Sequence, residues 1–181
     1  MTAVMTGGDE ITMRPAEEQA NGLLRSSAWH RADDGRGFVI PVDPFRIAER
    51  LGTQVLGARL EREVSGMLVK EPAQDPVIYV NATDSLVRQR FSCAHELGHF
   101  ILRATSRSDD SYGYIDRRGH SASHGTNPAE IYANQFAAEL LMPQENVRML
   151  APSMTDAALA VEFNVSVGAM KYRLENLGIR R

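Results

Sequence analysis

The sequence predicts an α+β fold made mainly of helices, with a small antiparallel sheet and a helix-turn-helix-like subdomain at the C-terminal end. Three observations support this prediction. A long helical pattern surrounds the string His95-Glu96-Leu97-Gly98-His99, short β-prone runs precede it, and two short helical patterns close the chain. At 181 residues and 43% hydrophobic content, the chain is long enough to bury one core of ordinary size.

The chain divides into three predicted parts. Residues 1–37 form an N-terminal segment that is partly disordered and in which residues 16–29 have the pattern of a short helix. Residues 38–150 form the main domain, which contains the HExxH string. Residues 151–181 form the helix-turn-helix-like subdomain.

The main domain begins with an extended run that leads into a helix. Asp43 is predicted to cap this helix, because Pro44 suits its first position and Gly52 suits its end. Three β-prone runs follow, and we expect them to form the antiparallel sheet. These runs are residues 53–60, 65–70 and 77–80.

The next helix is predicted to begin at a cap formed by Thr83 or Asp84 and to continue through the HExxH string to about Arg103. Residues 104–127 have almost no apolar periodicity, so we expect a long loop that is either functional or disordered. Three later helices are predicted, at residues 129–142, 156–163 and 166–176.

The HExxH string predicts a metal site. Two histidines four residues apart lie on one face of a helix, so the imidazoles of His95 and His99 can reach a single ion. Glu96 lies about a quarter turn away, where its carboxylate can act as a general base towards a water molecule. The alternative is a surface helix with two solvated histidines, which the surrounding apolar residues make the weaker interpretation.

A catalytic zinc site needs a third protein ligand, and Glu130 is the best candidate. It lies 31 residues after His99, near the start of the next predicted helix. Spacing alone leaves this assignment open, because Glu130 also fits a capping box with Asn127. The rival ligands His120 and His124 lie in the long loop, where we expect them to form part of a flexible lid.

Peptide hydrolysis also requires a group that stabilises the developing oxyanion. The loop offers several candidates and does not choose among them. They are Tyr112, Tyr114, His120, His124 and either Arg117 or Arg118.

Composition excludes several classes of protein. A net charge of −3 and a pI of about 6.0 provide no general attraction for nucleic acid or anionic membrane. The single cysteine, Cys93, excludes an internal disulfide, and we interpret it as a small core residue. Neither a secretory signal nor an apolar run of membrane-spanning length is evident, so a cytoplasmic location is expected.

Three separated stretches resemble the ImmA/IrrE family of regulatory metallo-endopeptidases in both order and spacing. The stretches are RQRFSCAHELGHFIL (residues 88–102), EIYANQFAAELLMP (130–143) and LAVEFNVSVGAMKYRLENLG (159–178). The resemblance implies that residues 38–150 form a zincin-like metallopeptidase domain. It also implies that His95, His99 and Glu130 bind zinc and that Glu96 is the base. Members of the family typically cleave a helix-turn-helix repressor of the XRE type, which would be the protein substrate here.

Two other functions stay open at this point. The C-terminal helices suggest a DNA-binding regulator, but residues 153–181 carry four basic and three acidic side chains, so direct DNA binding is not expected. The chain can also be a non-proteolytic partner of a repressor, of the toxin-antitoxin type, with a metal site of structural role. A structural site usually has four ligands and no base, which favours catalysis.

Overall fold

The computed structural model of the chain describes residues 15–26, 37–106, 114–119 and 127–179. The α+β class is confirmed, and the elements follow in this order: α1 (Ala16–Arg25), α2 (Pro44–Arg50), β1 (Gln54–Ala58), β2 (Val64–Lys70), β3 (Val77–Asn81), α3 (Leu86–Ser106), β4 (Tyr114–Gly119), α4 (Pro128–Leu141), α5 (Gln144–Leu150), α6 (Asp156–Glu162) and α7 (Val167–Asn176).

Most helix ends follow local capping chemistry. The Asp43 carboxylate accepts hydrogen bonds from the backbone N–H groups of Phe45 and Arg46, which confirms the predicted cap of α2. Gly52 follows that helix with a φ of 77°, as a helix-ending glycine does. α3 begins later than predicted, at Leu86, because residues 81–84 form a turn in which Asn81 Oδ1 accepts from the Thr83 backbone N–H.

The sheet is mixed rather than fully antiparallel, which corrects the expected arrangement. Its strand order is β1-β3-β2-β4, and β1 pairs with β3 in parallel while β2 pairs antiparallel with both of its neighbours. In the sheet, β3 lies between β1 and β2, so the chain crosses from one side of β3 to the other between β1 and β2. Since β2 runs antiparallel to β3, β1 on the other side can pair with β3 in parallel. Alternation of apolar and polar residues does not encode that order.

β4 lies inside the stretch 104–127, for which a loop was predicted. Within that stretch α3 also continues to Ser106, and residues 107–113 and 120–126 lie outside the described part of the chain. β4 pairs with β2 from Lys70↔Tyr114 to Val64↔Gly119. Backbone pairing with an existing strand thus forms an element that the polar sequence does not indicate.

α3 lies at the centre of the molecule. One of its faces packs on the sheet, mainly on β2 and β3, and another packs along α4, whose far side is covered by α1. Leu97, Phe136 and Leu24, from the three helices, are fully buried in this core. Both halves of the candidate site therefore lie on rigid, well-packed helices.

The C-terminal helices are tied to this centre by two buried arginines. Arg90 of α3 donates to the carbonyl oxygens of Asn164 and Val42. Arg173 of α7 pairs with the buried carboxylate of Glu139 in α4. α6 and α7 lie close to the predicted helices, α5 was not predicted, and the assignment of a separate helix-turn-helix subdomain stays a prediction.

Candidate metal centre

The two histidines of the HExxH string face each other on α3. Their Nε2 atoms are 3.1 Å apart, and the two side chains are almost completely buried, with relative exposures of 0% for His95 and 5% for His99. The spacing of four residues on one helix produces this arrangement, since the side chains stand one turn apart on the same face.

Glu130 brings a carboxylate to the same point from the first turn of α4. One carboxylate oxygen lies 3.4 Å from Nε2 of His95 and the other lies 3.1 Å from Nε2 of His99. This geometry supports the metal-ligand interpretation of Glu130 over the capping one. The cap of α4 includes Asn127, whose side chain accepts from the Ala129 backbone N–H.

The three donors fit a metal ion. Their ligand atoms all lie within 4.8 Å of one another, and the contacts between them measure 3.1–3.4 Å. Ligands of a tetrahedral zinc ion at about 2.0 Å from the metal are themselves about 3.3 Å apart, so the spacing suits such an ion. Two imidazoles and one carboxylate also match the donor preferences of zinc.

A residue that the sequence analysis missed, Asn134, orients the first of these histidines. Its Oδ1 lies 3.0 Å from Nδ1 of His95. An amide oxygen only accepts hydrogen bonds, so Nδ1 of His95 is the donor to Asn134, which leaves Nε2 as the nitrogen available to a metal ion. The available signal was spacing, because Asn134 lies one helical turn after Glu130 on α4.

α3 and α4 approach each other closely at Gly98. A Cβ atom at this position would lie 3.0 Å from the Cα of Ala133 and 3.2 Å from the Cβ of Phe136. A side chain at this position would require the two helices to move apart by a few tenths of an ångström, so glycine allows their close separation. This close contact holds the Glu130 helix beside the HExxH helix.

Glu96 lies on another face of α3 and points towards the sheet. The residue is fully buried, and its Oε1 and Cγ atoms lie beside Gly66 of β2. A carboxylate enclosed in this way is held in a defined position, as a general base requires.

Cys93 is a buried core residue, as predicted, and carries a free thiol. Burial raises the pKa of this thiol, and the carboxylates of Asp43 and Glu96 add to the effect. The thiol therefore stays protonated, which excludes it as a nucleophile or a thiolate ligand.

The loop candidates lie mostly outside the described residues. Tyr112, His120 and His124 are not among those residues, and Tyr114 is the first residue of β4. Their assignment to a lid or to oxyanion stabilisation stays a prediction.

An α+β chain in which an HExxH helix meets a carboxylate from a later helix has the architecture and donor set of a metal-dependent hydrolase. The family model described as the IrrE N-terminal-like domain, of peptidase family M78, matches residues 48–175. The chain therefore belongs to this family. A comparison with curated proteins gives no match. Among the described helices, none has the length and apolar character needed to cross a membrane.

Proposed function

We propose that the chain is a zinc-dependent endopeptidase that cleaves a protein substrate. The observation that carries this proposal is the convergence of the imidazoles of His95 and His99 with the carboxylate of Glu130. The residue that follows His95, Glu96, is fully buried. Membership in a peptidase family supports the same conclusion.

His95, His99 and Glu130 would hold the ion, with Asn134 keeping the first ring in the required tautomer. When bound, zinc supplies Lewis acidity towards water and towards the peptide carbonyl. Within the described residues, no fourth histidine, cysteine or carboxylate joins the group. Three protein donors are the number typical of catalytic rather than structural zinc.

Glu96 is the proposed general base. Its carboxylate takes a proton from the attacking water and then donates that proton to the leaving amine, so one group serves both steps of peptide hydrolysis. Complete burial keeps bulk water from exchanging with this proton. Glu96 is adjacent to His95 in sequence but faces another direction, which separates the base from the ligand set.

The proposed substrate is a helix-turn-helix repressor of the XRE type, whose cleavage would release the genes that it controls. The motif resemblance supports this choice. Tyr112, Tyr114, His120 and His124 are the proposed lid or oxyanion residues, because they belong to the long stretch between the two ligand-bearing helices.

The charge distribution argues against DNA as the direct partner of the C-terminal helices. Arg173 is one of four basic residues in residues 153–181, and it is buried against Glu139 and not available to a phosphate. The remaining three basic residues of that region are balanced in number by its three acidic residues, so little net positive charge is left for phosphate neutralisation.

The test is incubation of the zinc-loaded protein with helix-turn-helix repressors of the XRE type from the same genome. We expect Glu96→Gln to slow cleavage by about 10²–10⁴-fold while zinc stays bound at one equivalent per chain. Glu162→Gln is the matched control, since Glu162 is exposed on α6 and distant in sequence from the site. A chelator should stop cleavage by the parent.

Two results would contradict the proposal. Cleavage by Glu96→Gln at the parent rate would show that Glu96 is not the base. A zinc-loaded parent that binds the repressor and leaves it intact would instead support the non-proteolytic alternative.

A further inference from the structure

The strand residue that faces Glu96 is a glycine, Gly66 of β2. A Cβ atom at this position would lie 3.1 Å from Glu96 Oε1, 3.3 Å from Glu96 Cγ and 3.2 Å from the Cβ of Ser92. All three distances are shorter than ordinary van der Waals contacts between such atoms. The side chain of Glu96 therefore occupies the space that a side chain at position 66 would need.

Space, rather than backbone conformation, is what requires glycine here. The residues of the chain with positive φ include Gly37, Gly52 and Gly178 but not Gly66, so an alanine could adopt the backbone angles of position 66. Gly66 is also buried and lies within β2 rather than in a turn. The three atoms nearest to an added methyl group all belong to α3.

The strand cannot easily move away to make room. Gly66 pairs with Val80 of β3 on one side and with Arg118 of β4 on the other, so β2 is held at both edges. The pairing with β4 also shifts register between Val64 and Gly66, and such irregularities re-aim a strand locally. Of the two residues closest to an added Cβ, Ser92 contributes an atom that is fixed to the helix backbone, whereas Glu96 contributes side-chain atoms that would change rotamer if a methyl group were added.

We propose that Gly66 is a positioning residue for Glu96: its missing side chain forms a slot between β2 and α3 that holds the carboxylate in the orientation needed by the base. A larger residue at position 66 would turn the carboxylate away. This inference rests on the proposed function for its catalytic meaning, but the steric coupling can be tested independently of any substrate.

The first test is a double-mutant cycle in thermal stability. Gly66→Ala in the parent is expected to lower the melting temperature by roughly 3–10 °C through overpacking. In the Glu96→Ala background the loss should be less than half as large, because Oε1 and Cγ are gone and Ser92 Cβ is the remaining close contact. In the Glu96→Gln background, which keeps the shape of the side chain, the full loss should return.

Gly57→Ala provides a matched control. Gly57 of β1 pairs with Val80, the same β3 residue that pairs with Gly66, but a Cβ there would meet only the Ala82 side chain, at an ordinary 3.7 Å. We expect its effect on the melting temperature to be equal in all three backgrounds. An equal loss for Gly66→Ala in all three backgrounds would overturn the proposal.

The second test measures catalysis with a quenched-fluorescence peptide library as the probe. For the best-cleaved peptide, Gly66→Ala should lower kcat on the order of 100-fold with KM and zinc content unchanged, because only the base is displaced. Unchanged kcat would overturn the positioning role. If the zinc-loaded parent cleaves no peptide or repressor, the proposed function fails, while the stability cycle still decides whether Gly66 holds Glu96 in place.

Discussion

The side-chain oxygen of Asn134 lies 3.0 Å from Nδ1 of His95, and this contact determines which nitrogen of the ring is available to a metal. Asn134 follows Glu130 by one turn on α4, so the same helix supplies both a carboxylate donor and the group that orients a donor on α3. Hydrogen bonds of this kind fix the tautomer and ring orientation of metal-binding histidines in general.

Replacing Asn134 should therefore weaken metal binding without removing a ligand. We expect Asn134→Ala to raise the dissociation constant for zinc by about 10–100-fold, measured by competition with a chromophoric chelator. Asn134→Asp, which retains an acceptor oxygen, should keep most of the affinity. Gln135→Ala is the control, since its side chain is exposed on the same helix. Equal zinc affinities for Asn134→Ala and Gln135→Ala would show that the contact has no such role.

A methyl group at Gly98 should separate the two ligand-bearing helices. Because its Cβ would lie 3.0 Å from a backbone atom of α4, Gly98→Ala forces α4 to shift and carries Glu130 away from His99. We expect a loss of about 1–3 kcal/mol in unfolding free energy and weaker zinc binding, measured by denaturant titration and chelator competition.

The matched control for this change is Gly22→Ala in α1. Nothing lies within 4 Å of a Cβ at position 22, so the greater helix propensity of alanine should stabilise the protein by about 0.5–1 kcal/mol. If Gly98→Ala leaves the unfolding free energy and the zinc affinity of the parent unchanged, the close approach of α3 and α4 does not limit the site.

The buried pair Arg173–Glu139 should contribute to stability and not to the metal site. Arg173→Met leaves the Glu139 carboxylate buried without its counter-charge and removes a donor to the Met142 carbonyl. We therefore expect the free energy of unfolding, measured by denaturant titration, to fall by about 3–5 kcal/mol. Adding Glu139→Met should recover part of that loss. Lys171→Met, at an exposed position of the same helix, should change stability by less than about 0.5 kcal/mol. If Arg173→Met lowered the free energy of unfolding as little as Lys171→Met does, the prediction would be wrong.

Features encoded by neighbouring residues were predicted well. The Asp43-Pro44 start of α2 and the Asn127-Pro128 start of α4 follow from capping chemistry that operates within three residues. The facing imidazoles of the HExxH string likewise follow from helix geometry alone. In each case the physical cause lies within one or two helical turns of sequence.

Several features that depend on contacts between distant residues were not predicted, whereas the motif resemblance indicated that Glu130 joins the two histidines. The parallel pairing of β1 with β3 depends on the order of the strands in the sheet. The formation of β4 depends on the backbone groups of β2 that are not paired with β3. The slot at Gly66 and the Arg173–Glu139 pair each join residues about 30 positions apart. The sequence around these glycine, arginine and glutamate residues does not indicate their roles, because those roles depend on partners that only the folded chain brings into contact.

The position of Glu130 on a helix that begins 29 residues after His99 has a consequence for folding as well as chemistry. An ion bound by residues of both α3 and α4 would close the intervening chain into a loop. The free energy of the coordination bonds would then offset much of the conformational entropy that the chain loses on closing this loop. Folding of the domain would then depend on the free concentration of the metal ion. Removal of the metal would weaken the packing of α3 against α4 and abolish hydrolysis at the same time.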